Sequence, residues 1–434
     1  MRRFLRRHRE FISHLTVLMS GRSVAALIAL LTTPIIARFF SPADFGAAAV
    51  FFAIVSITAQ GSCLRYEGAI ALPRSSGEAL AIMALAYRIL FGAVMLSLFV
   101  VGIYEVTGQH WATLDSLGLW VWLLPIGVLM AGAHQVQESW LVRIKAFQRI
   151  SASLVVNNIA TSGSRISLGA WLGSSVWGLV TTQVLGMFLQ FVVQNRGVGQ
   201  GRREVLNRYQ WHVLKELAGR YSDFPRLNAP AAVVRSVGSN LPVLLFGALF
   251  SPAVAGFYAM ASRLSRVPLG IVAESLRRVF LQKAAAIRNR GGDLGRSFRL
   301  VVGGLAVTGA VPFLVVWLYG QTMLTLLLGE RWSVAGQYLE IMAPWLLSVW
   351  VAAPCNAVFV VLREQAFFLV RQTALTVARI AALSVTYVLT RDPEWTLGAF
   401  AAMAVVANVL TIIHSVRVIS RHRPSPRSAE TPFQ

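Results

Sequence analysis

Apolar runs of about 20 residues recur from one end of the chain to the other, separated by short polar stretches. A helix needs about that length to cross a bilayer, and lipid requires each backbone polar group to be bonded within its own helix. The pattern predicts an all-α polytopic membrane protein with about twelve spans. The predicted spans are 15–40, 45–64, 79–103, 116–136, 152–173, 175–194, 229–250, 252–272, 298–319, 337–361, 366–389 and 395–416.

Composition agrees with this pattern, since 56% of the 434 residues are hydrophobic and only 13% are charged. A soluble domain of this size carries about 25% charged residues. The formal charge of +22 does not indicate a nucleic-acid partner here, because basic residues collect in the cytoplasmic loops of membrane proteins.

The distribution of charge predicts the topology. With the N-terminus inside, twelve spans place the strongly basic segments on one side, which supports cytoplasmic N- and C-termini. We predict a first lobe over 1–194, a basic cytoplasmic linker over 195–228, and a second lobe with the tail over 229–434. Within the linker, WHVLKEL at 211–217 is either an amphipathic helix on the membrane surface or part of a solvated connection.

A short motif occurs twice, as SPADFG at Ser41–Gly46 and as SPAVAG at Ser251–Gly256. The copies lie about half the chain apart, and each opens a predicted span. Six spans separate them, so both halves insert with the same orientation. This predicts a parallel pseudo-repeat of two six-helix lobes around a midplane site.

Ionisable residues inside spans are costly and therefore mark candidate sites. Here they are nearly all arginines, and along the predicted eighth helix and its continuation Arg263, Arg266, Glu274 and Arg277 share one face. Snorkelling of these side chains to the headgroups is the alternative interpretation. The predicted substrate-binding residues are Arg22, Arg88, Arg165, Arg235, Arg263, Arg266 and Arg379.

The chemistry of these arginines favours an anionic substrate. No Asp or Glu falls near the predicted midplane of a span, and the guanidinium fork matches phosphate geometry. The two cysteines form no CxxC motif and the seven histidines are scattered, so we predict no metal site, no cofactor and no catalytic residues.

Several motifs resemble the polysaccharide transporter, or O-antigen flippase, family of the multidrug/oligosaccharidyl-lipid/polysaccharide superfamily. They are LRYEGAI at Leu64–Ile70, YSDFP at Tyr221–Pro225, GERW at Gly329–Trp332 and APW at Ala343–Trp345. The resemblance covers roughly residues 20 to 420 and implies a V-shaped fold of two lobes. In the first motif, Arg65 and Glu67 are the charged members.

The resemblance also implies a function. Members of the family move undecaprenyl-diphosphate-linked oligosaccharides, the repeat units of O-antigen or exopolysaccharide, across the bacterial inner membrane to the periplasmic leaflet. Expected partners are this lipid-linked oligosaccharide, membrane lipids, a polysaccharide polymerase and glycosyltransferases. Related lipid II flippases use cavity arginines on helices one and eight, where Arg22, Arg263 and Arg266 stand in this chain.

Two other functions remain open. A drug/cation antiporter of the same superfamily is disfavoured by the missing midplane carboxylate. A membrane-embedded polymerase or ligase needs reactive groups in outer loops, for which only the 104–115 and 320–336 segments offer polar residues. For the flippase, we predict drive either from the membrane potential, which is worth ~2.3 kcal/mol per charge per 100 mV, or from ion coupling by groups other than a midplane carboxylate.

Overall fold

The computed structural model describes residues 2–108, 115, 117–196, 209–289, 292–362 and 364–421, and these ranges contain only helices and their connections. The predicted linker residues 197–208 and tail residues 422–434 lie outside the described residues. The α-helices are α1 (Arg2–Phe39), α2 (Pro42–Gly61), α3 (Ser76–Thr107), α4 (Leu124–Arg143), α5 (Phe147–Leu172), α6 (Val176–Asn195), α7 (Trp211–Arg220), α8 (Ala229–Leu249), α9 (Pro252–Asn289), α10 (Leu294–Leu328), α11 (Ser333–Ala352), α12 (Cys355–Leu362), α13 (Gln365–Thr390) and α14 (Pro393–Arg421).

A helix lies at the position of every predicted span, which confirms the all-α polytopic fold. Among the described residues, ten helical stretches are long and apolar enough to cross a membrane. The fifth and eighth predicted spans, α5 and α9, fall outside these ten although both are long helices. Their interiors carry arginines and other polar residues that lower the mean hydropathy.

Several boundaries differ from the prediction; α9, for example, continues to Asn289 although the predicted span ends at 272. Two of the differences fall in loops considered above. Helix α4 continues to Arg143, so most of the loop expected after residue 136 is helical. The outer segment expected at 320–336 is helical except at Gly329, which ends α10 with a positive φ of 98°. At α4 the helix extends beyond its apolar part, because backbone hydrogen bonding continues where hydropathy falls.

Both copies of the repeated motif begin a helix in the same way. The Ser41 hydroxyl accepts a hydrogen bond from the Asp44 amide at 3.2 Å, and the Ser251 hydroxyl accepts one from the Val254 amide at 3.3 Å. A proline follows each serine in the first turn, where its missing N–H costs nothing. The two motifs are therefore matched N-terminal caps of α2 and α9.

The two copies also contact each other. A Cβ on Gly46 would lie 1.6 Å from the Pro252 carbonyl oxygen, and a Cβ on Gly256 would lie 1.9 Å from the Pro42 carbonyl oxygen. We call this reciprocal contact the glycine crossing. Glycine lets two helix backbones approach this closely, so the repeat has a structural reason to end in glycine.

The chain divides into two compact units, 1–259 and 260–434, with the division inside α9. In unit 1, the linker helix α7 buries Leu214 and Leu217 in an apolar cluster that includes Tyr66. The Tyr66 hydroxyl donates to the Ala218 carbonyl at 2.9 Å. The WHVLKEL segment is therefore helical, but its apolar face packs against the protein rather than a membrane surface.

Candidate functional site

The deep arginines predicted as a substrate site occupy different surroundings. Some donate hydrogen bonds within a bundle, some are tied to a carboxylate or a carbonyl, and some make no hydrogen bond to a described residue. They are Arg22, Arg88, Arg165, Arg235, Arg263, Arg266 and Arg379.

Arg165 on α5 is only 3% exposed. Its Nε donates to the Thr182 hydroxyl at 3.3 Å, and its Nη2 donates to Gln183 Oε1 at 3.0 Å and to the Leu179 carbonyl at 3.3 Å. Its guanidinium carbon also lies 5.9 Å from the Phe52 ring centroid. This arginine joins α5 to α6, and its donors are occupied by protein.

Arg88 on α3 is exposed and donates to the Tyr209 carbonyl at 3.0 Å. The Tyr209 hydroxyl in turn donates to the Gly77 carbonyl at 2.6 Å. Arg88 thus helps to fasten the segment before α7 to the side of α3.

Arg22 on α1 forms an ion pair with Glu138 on α4, with 3.0 Å between Nη2 and Oε1. The hydropathy pattern placed Glu138 in a loop, but it lies within α4, about one and a half turns before that helix ends. Hydropathy misplaced it because the polar residues around it form the inward face of a helix. His134 lies one turn away, with Nε2 3.4 Å from the second Glu138 oxygen.

Arg263 and Arg266 on α9 differ from the arginines above. Within the described part of the chain, neither guanidinium makes a hydrogen bond or an ion pair. Arg266 is exposed, and its guanidinium carbon lies 5.8 Å from the ring centroid of Trp345, which is buried and belongs to the APW motif. A cation over an aromatic ring keeps its edge donors available. Among the described side chains, the N–H donors of both guanidinium groups therefore have no acceptor.

Arg235 and Arg379 have fewer contacts that bear on a site. Arg235 is exposed on α8. Arg379 donates to the Leu375 carbonyl at 3.4 Å and to the Thr376 hydroxyl at 3.3 Å, both within its own helix α13. The substrate role of Arg235 and Arg379 stays a prediction. The shared face of Arg263, Arg266, Glu274 and Arg277 also stays a prediction, because the side chain of Glu274 is not among the described ones.

The LRYEGAI and YSDFP motifs meet in unit 1. A Cβ on Gly68 would lie 3.0 Å from the Phe224 ring, so the first motif packs directly against the second. The backbone there is unusual, because Leu64 and Arg65 have consecutive positive φ values of 48° and 62°. Strain of this kind persists only where surrounding contacts hold it.

Glu67 of the first motif is 3% exposed and lines a cavity of about 310 Å³ with Arg65, Gln135 and Glu138. Arg65 Nη1 lies 3.1 Å from Oε1, yet neither Glu67 oxygen accepts a well-formed hydrogen bond from a described residue. Burial raises the pKa of the Glu67 carboxyl, and Arg65 opposes part of that rise. The family motif therefore builds a polar cavity beside α4.

Arg143, at the end of α4, donates to the Ile70 and Pro73 carbonyls at 3.0 and 2.8 Å and to the Ser75 carbonyl at 3.1 Å. If Arg143 lay in the loop predicted after residue 136, its replacement should be tolerated. Instead, its three hydrogen bonds hold the turn at residues 70–75 against α4, and we call these bonds the Arg143 clasp.

A ladder of polar side chains on α4, α5 and α6 was not predicted from the sequence. Their pairs at helical i, i+4 spacing were the available signal, since such spacing places both members on one face. The ladder consists of His134, Gln137, Ser153, Asn157, Thr161, Gln190 and Gln194, joined by hydrogen bonds.

Among the described residues, we next consider the groups that could support other chemistry. No cluster of three or more His, Cys, Asp or Glu side chains with metal-binding geometry occurs among the described residues. In the outer segment considered for an enzyme, Asp115 accepts a hydrogen bond from the Tyr104 hydroxyl at 2.5 Å. His110 of that segment lies outside the described residues.

The model of a family described as polysaccharide biosynthesis protein matches residues 35–337. A search of curated proteins gives no match.

Solved structures resemble the whole chain. The lipid II flippase MurJ, in an inward closed conformation, has a TM-score of 0.71 at 11% identity, with 94% of this chain and 87% of that chain covered. An inward-facing multidrug resistance MATE family transporter of the MOP superfamily also has 0.71, at 12% identity and 94% and 99% coverage. A MOP superfamily transporter from Pyrococcus furiosus has 0.57, at 12% identity and 95% and 96% coverage. At these identities the likeness shows the fold.

Proposed function

Because the chain belongs to the polysaccharide biosynthesis protein family and has the fold of membrane flippases and transporters, we propose that it translocates a polyprenyl-diphosphate-linked oligosaccharide. The cargo is the repeat unit of a surface polysaccharide such as O-antigen or exopolysaccharide. It moves from the cytoplasmic to the periplasmic leaflet of the bacterial inner membrane by alternating access. Both chain termini lie in the cytoplasm, and the protein acts as a transporter without catalytic residues or a cofactor.

The observation that supports this proposal is the Arg263–Arg266 pair on α9, whose guanidinium groups make no hydrogen bond or ion pair with the described side chains. A guanidinium held within a membrane protein without a carboxylate partner is costly unless a ligand uses it. The fork of Arg263 and Arg266 suits the oxygen atoms of a diphosphate, and Trp345 supports Arg266 without occupying its N–H donors.

The other parts of the substrate follow from its chemistry. The polyprenyl tail stays in lipid, since burying its hydrocarbon in an aqueous path would be unfavourable. Glycosyltransferases supply the lipid-linked repeat unit, and a polymerase on the outer side consumes it. Arg22, Arg88, Arg165, Arg235 and Arg379 are secondary candidates, because most of them already have partners in the protein.

The test is to delete the gene in its source organism and identify the lipid-linked glycan that accumulates. We expect single repeat units on a polyprenyl diphosphate, located in the cytoplasmic leaflet and inaccessible to a lectin added to spheroplasts. Expression of the wild-type chain should clear them and restore the surface glycan.

Other outcomes would replace the proposal. Accumulation in the outer leaflet would indicate a polymerase, because flipping would then precede the missing step. Increased drug sensitivity without glycan accumulation would indicate an antiporter that exports drugs, in keeping with the MATE fold.

A further inference from the structure

His134 lies in the middle of α4, ~14 Å from the last residue of that helix. Both ring nitrogens have close neighbours on α6: Nδ1 is 3.1 Å from Gln194 Oε1, and Nε2 is 3.2 Å from Gln190 Nε2. Imidazole is the side chain whose charge ordinarily changes between pH 5 and 8. A histidine at this depth is therefore a candidate proton-binding group.

The neighbouring amides fix the protonation of the ring. Asn157 Nδ2 donates to Gln190 Oε1 at 2.5 Å, so the Gln190 amide nitrogen faces His134 and donates to Nε2. Gln194 Nε2 donates to the Ser153 hydroxyl at 3.2 Å, so Gln194 Oε1 faces His134 and accepts from Nδ1. These partners match a ring that donates from Nδ1 and presents a lone pair at Nε2.

A second acceptor faces that lone pair. Glu138 Oε2 lies 3.4 Å from His134 Nε2, while Glu138 Oε1 accepts from Arg22. Two acceptors facing each other are satisfied when one proton is added between them. On protonation an N–H bond forms at Nε2, the ring becomes imidazolium, and Nε2 donates to Glu138 instead of accepting from Gln190.

This exchange of hydrogen bonds reaches three helices. Gln190 on α6 would lose its acceptor, and it is bonded to Asn157 on α5, which accepts from the Thr161 hydroxyl at 3.0 Å. The ladder is tightly packed, because a Cβ on Gly186 would lie 2.1 Å from Thr161 Oγ1. Protonation at His134 therefore changes the packing of α4 against α5 and α6.

We propose that His134 and Glu138 form a proton-binding site that couples flipping to the transmembrane proton gradient. The proposal rests on the flippase function above and adds its coupling ion. The charged groups nearest His134 are Glu138 on its own helix and, through Glu138, Arg22 on α1. Arg65 and Glu67, from the turn before α3, line the cavity that Glu138 also lines. From α5 and α6, the described side chains that face it are uncharged amides and hydroxyls.

The test uses the full-length protein in proteoliposomes, with a synthetic polyprenyl-diphosphate disaccharide as the probe and the membrane potential clamped at zero. Exchange of one proton per lipid predicts that a difference of one pH unit shifts the distribution of the probe between leaflets about tenfold. We expect His134→Gln to flip more slowly and to lose this shift. Glu138→Gln should weaken it. His212→Gln, at an exposed position on α7, is the matched control and should respond like wild type.

A second measurement keeps the proposal testable if His134→Gln is poorly inserted. Nitrogen-15 histidine spectra of the wild-type protein in lipid should show one ring that is Nδ1-protonated at pH 8 and imidazolium at pH 5. Comparison with the spectrum of any inserted His134 variant assigns that ring. A His134 ring that stays neutral from pH 8 to pH 5 would overturn the proton site.

The two proposals fail differently. Flipping of the probe with an equal response to pH in wild type and His134→Gln would remove the coupling site and leave the flippase. No flipping of the probe by wild type under any gradient would count against the flippase, while the histidine spectra would still decide whether the proton site exists.

Discussion

Arg165 in unit 1 and the Arg263–Arg266 pair in unit 2 are arginines within long helices, but their surroundings are opposite. Arg165 is buried, and its donors are taken by three groups of α6. Arg263 and Arg266 make no hydrogen bond or ion pair with any described residue, and Arg266 rests on Trp345. An arginine deep in a membrane span is costly, so it must serve either the fold or a ligand. Its hydrogen-bond partners distinguish these two roles.

The largest effect should come from the α9 pair. The Arg263→Ala, Arg266→Ala double variant should reduce surface glycan at least about tenfold at normal abundance, since loss of charged hydrogen bonds to a diphosphate costs ~1.5–3 kcal/mol each. Lysine at both positions should rescue in part, because it keeps the charge but not the fork. The measurement is complementation with a parallel immunoblot, with Arg74→Ala as the exposed control. Full function of the double variant would remove α9 from the site.

Arg165→Ala should act on the protein rather than on transport. It removes three hydrogen bonds from a charged donor in a largely buried site, at ~1.5–3 kcal/mol each, so inserted protein should fall sharply. Lysine should rescue poorly, because one ammonium cannot span the positions that Nε and Nη2 occupy. The readout is abundance and detergent melting temperature. Normal abundance with lost transport would reverse the comparison and place Arg165 in the substrate site.

Substitution at the glycine crossing tests whether close packing of helix backbones also stabilises unit 1. Gly46→Ala would place its Cβ against the Pro252 carbonyl, so the helices must separate, at a cost of ~1–3 kcal/mol. Gly92→Ala on α3 is the matched control, since no atom lies within 4 Å of its Cβ position. Melting temperatures of the two purified variants make the comparison. Equal values for both would show that the crossing is not tight.

The smallest effect concerns Arg143. Arg143→Ala removes a clasp of three hydrogen bonds to carbonyls at the protein surface, so we expect a loss of ~1–2 kcal/mol in stability. Arg74→Ala, in a different predicted loop and exposed, should be neutral. Limited proteolysis near residues 70–75 would report the difference. Equal protease resistance in both variants would contradict the clasp.

The sequence predicted the helices well because apolar runs record them directly. It placed the end of α4 too early, since Gln135, Gln137 and Glu138 are polar residues of an inward helical face. It placed Arg165 deep in a predicted span, but it did not show that the guanidinium is hydrogen-bonded, because Thr182 and Gln183 come from the following helix. Such partners are set by tertiary packing, which hydropathy does not encode.

The same limit applies to the motifs. LRYEGAI and YSDFP are recognisable separately, but their contact through Gly68 and Phe224 joins distant parts of the chain. The repeat, by contrast, can be recognised in the amino-acid sequence, because both copies begin with Ser-Pro-Ala and end in Gly. Its reciprocal glycines show that the match extends beyond chance similarity of two proline turns.

The central claim is that this protein moves a polyprenyl-diphosphate-linked oligosaccharide across a membrane. The most direct measurement reconstitutes the purified chain in liposomes that carry such a lipid and follows its exposure to an impermeant glycan-modifying reagent. The account predicts that wild-type protein makes the inner-leaflet pool accessible, whereas the Arg263→Ala, Arg266→Ala variant does not. Accessibility equal to that of protein-free liposomes, with folded wild-type protein present, would contradict it.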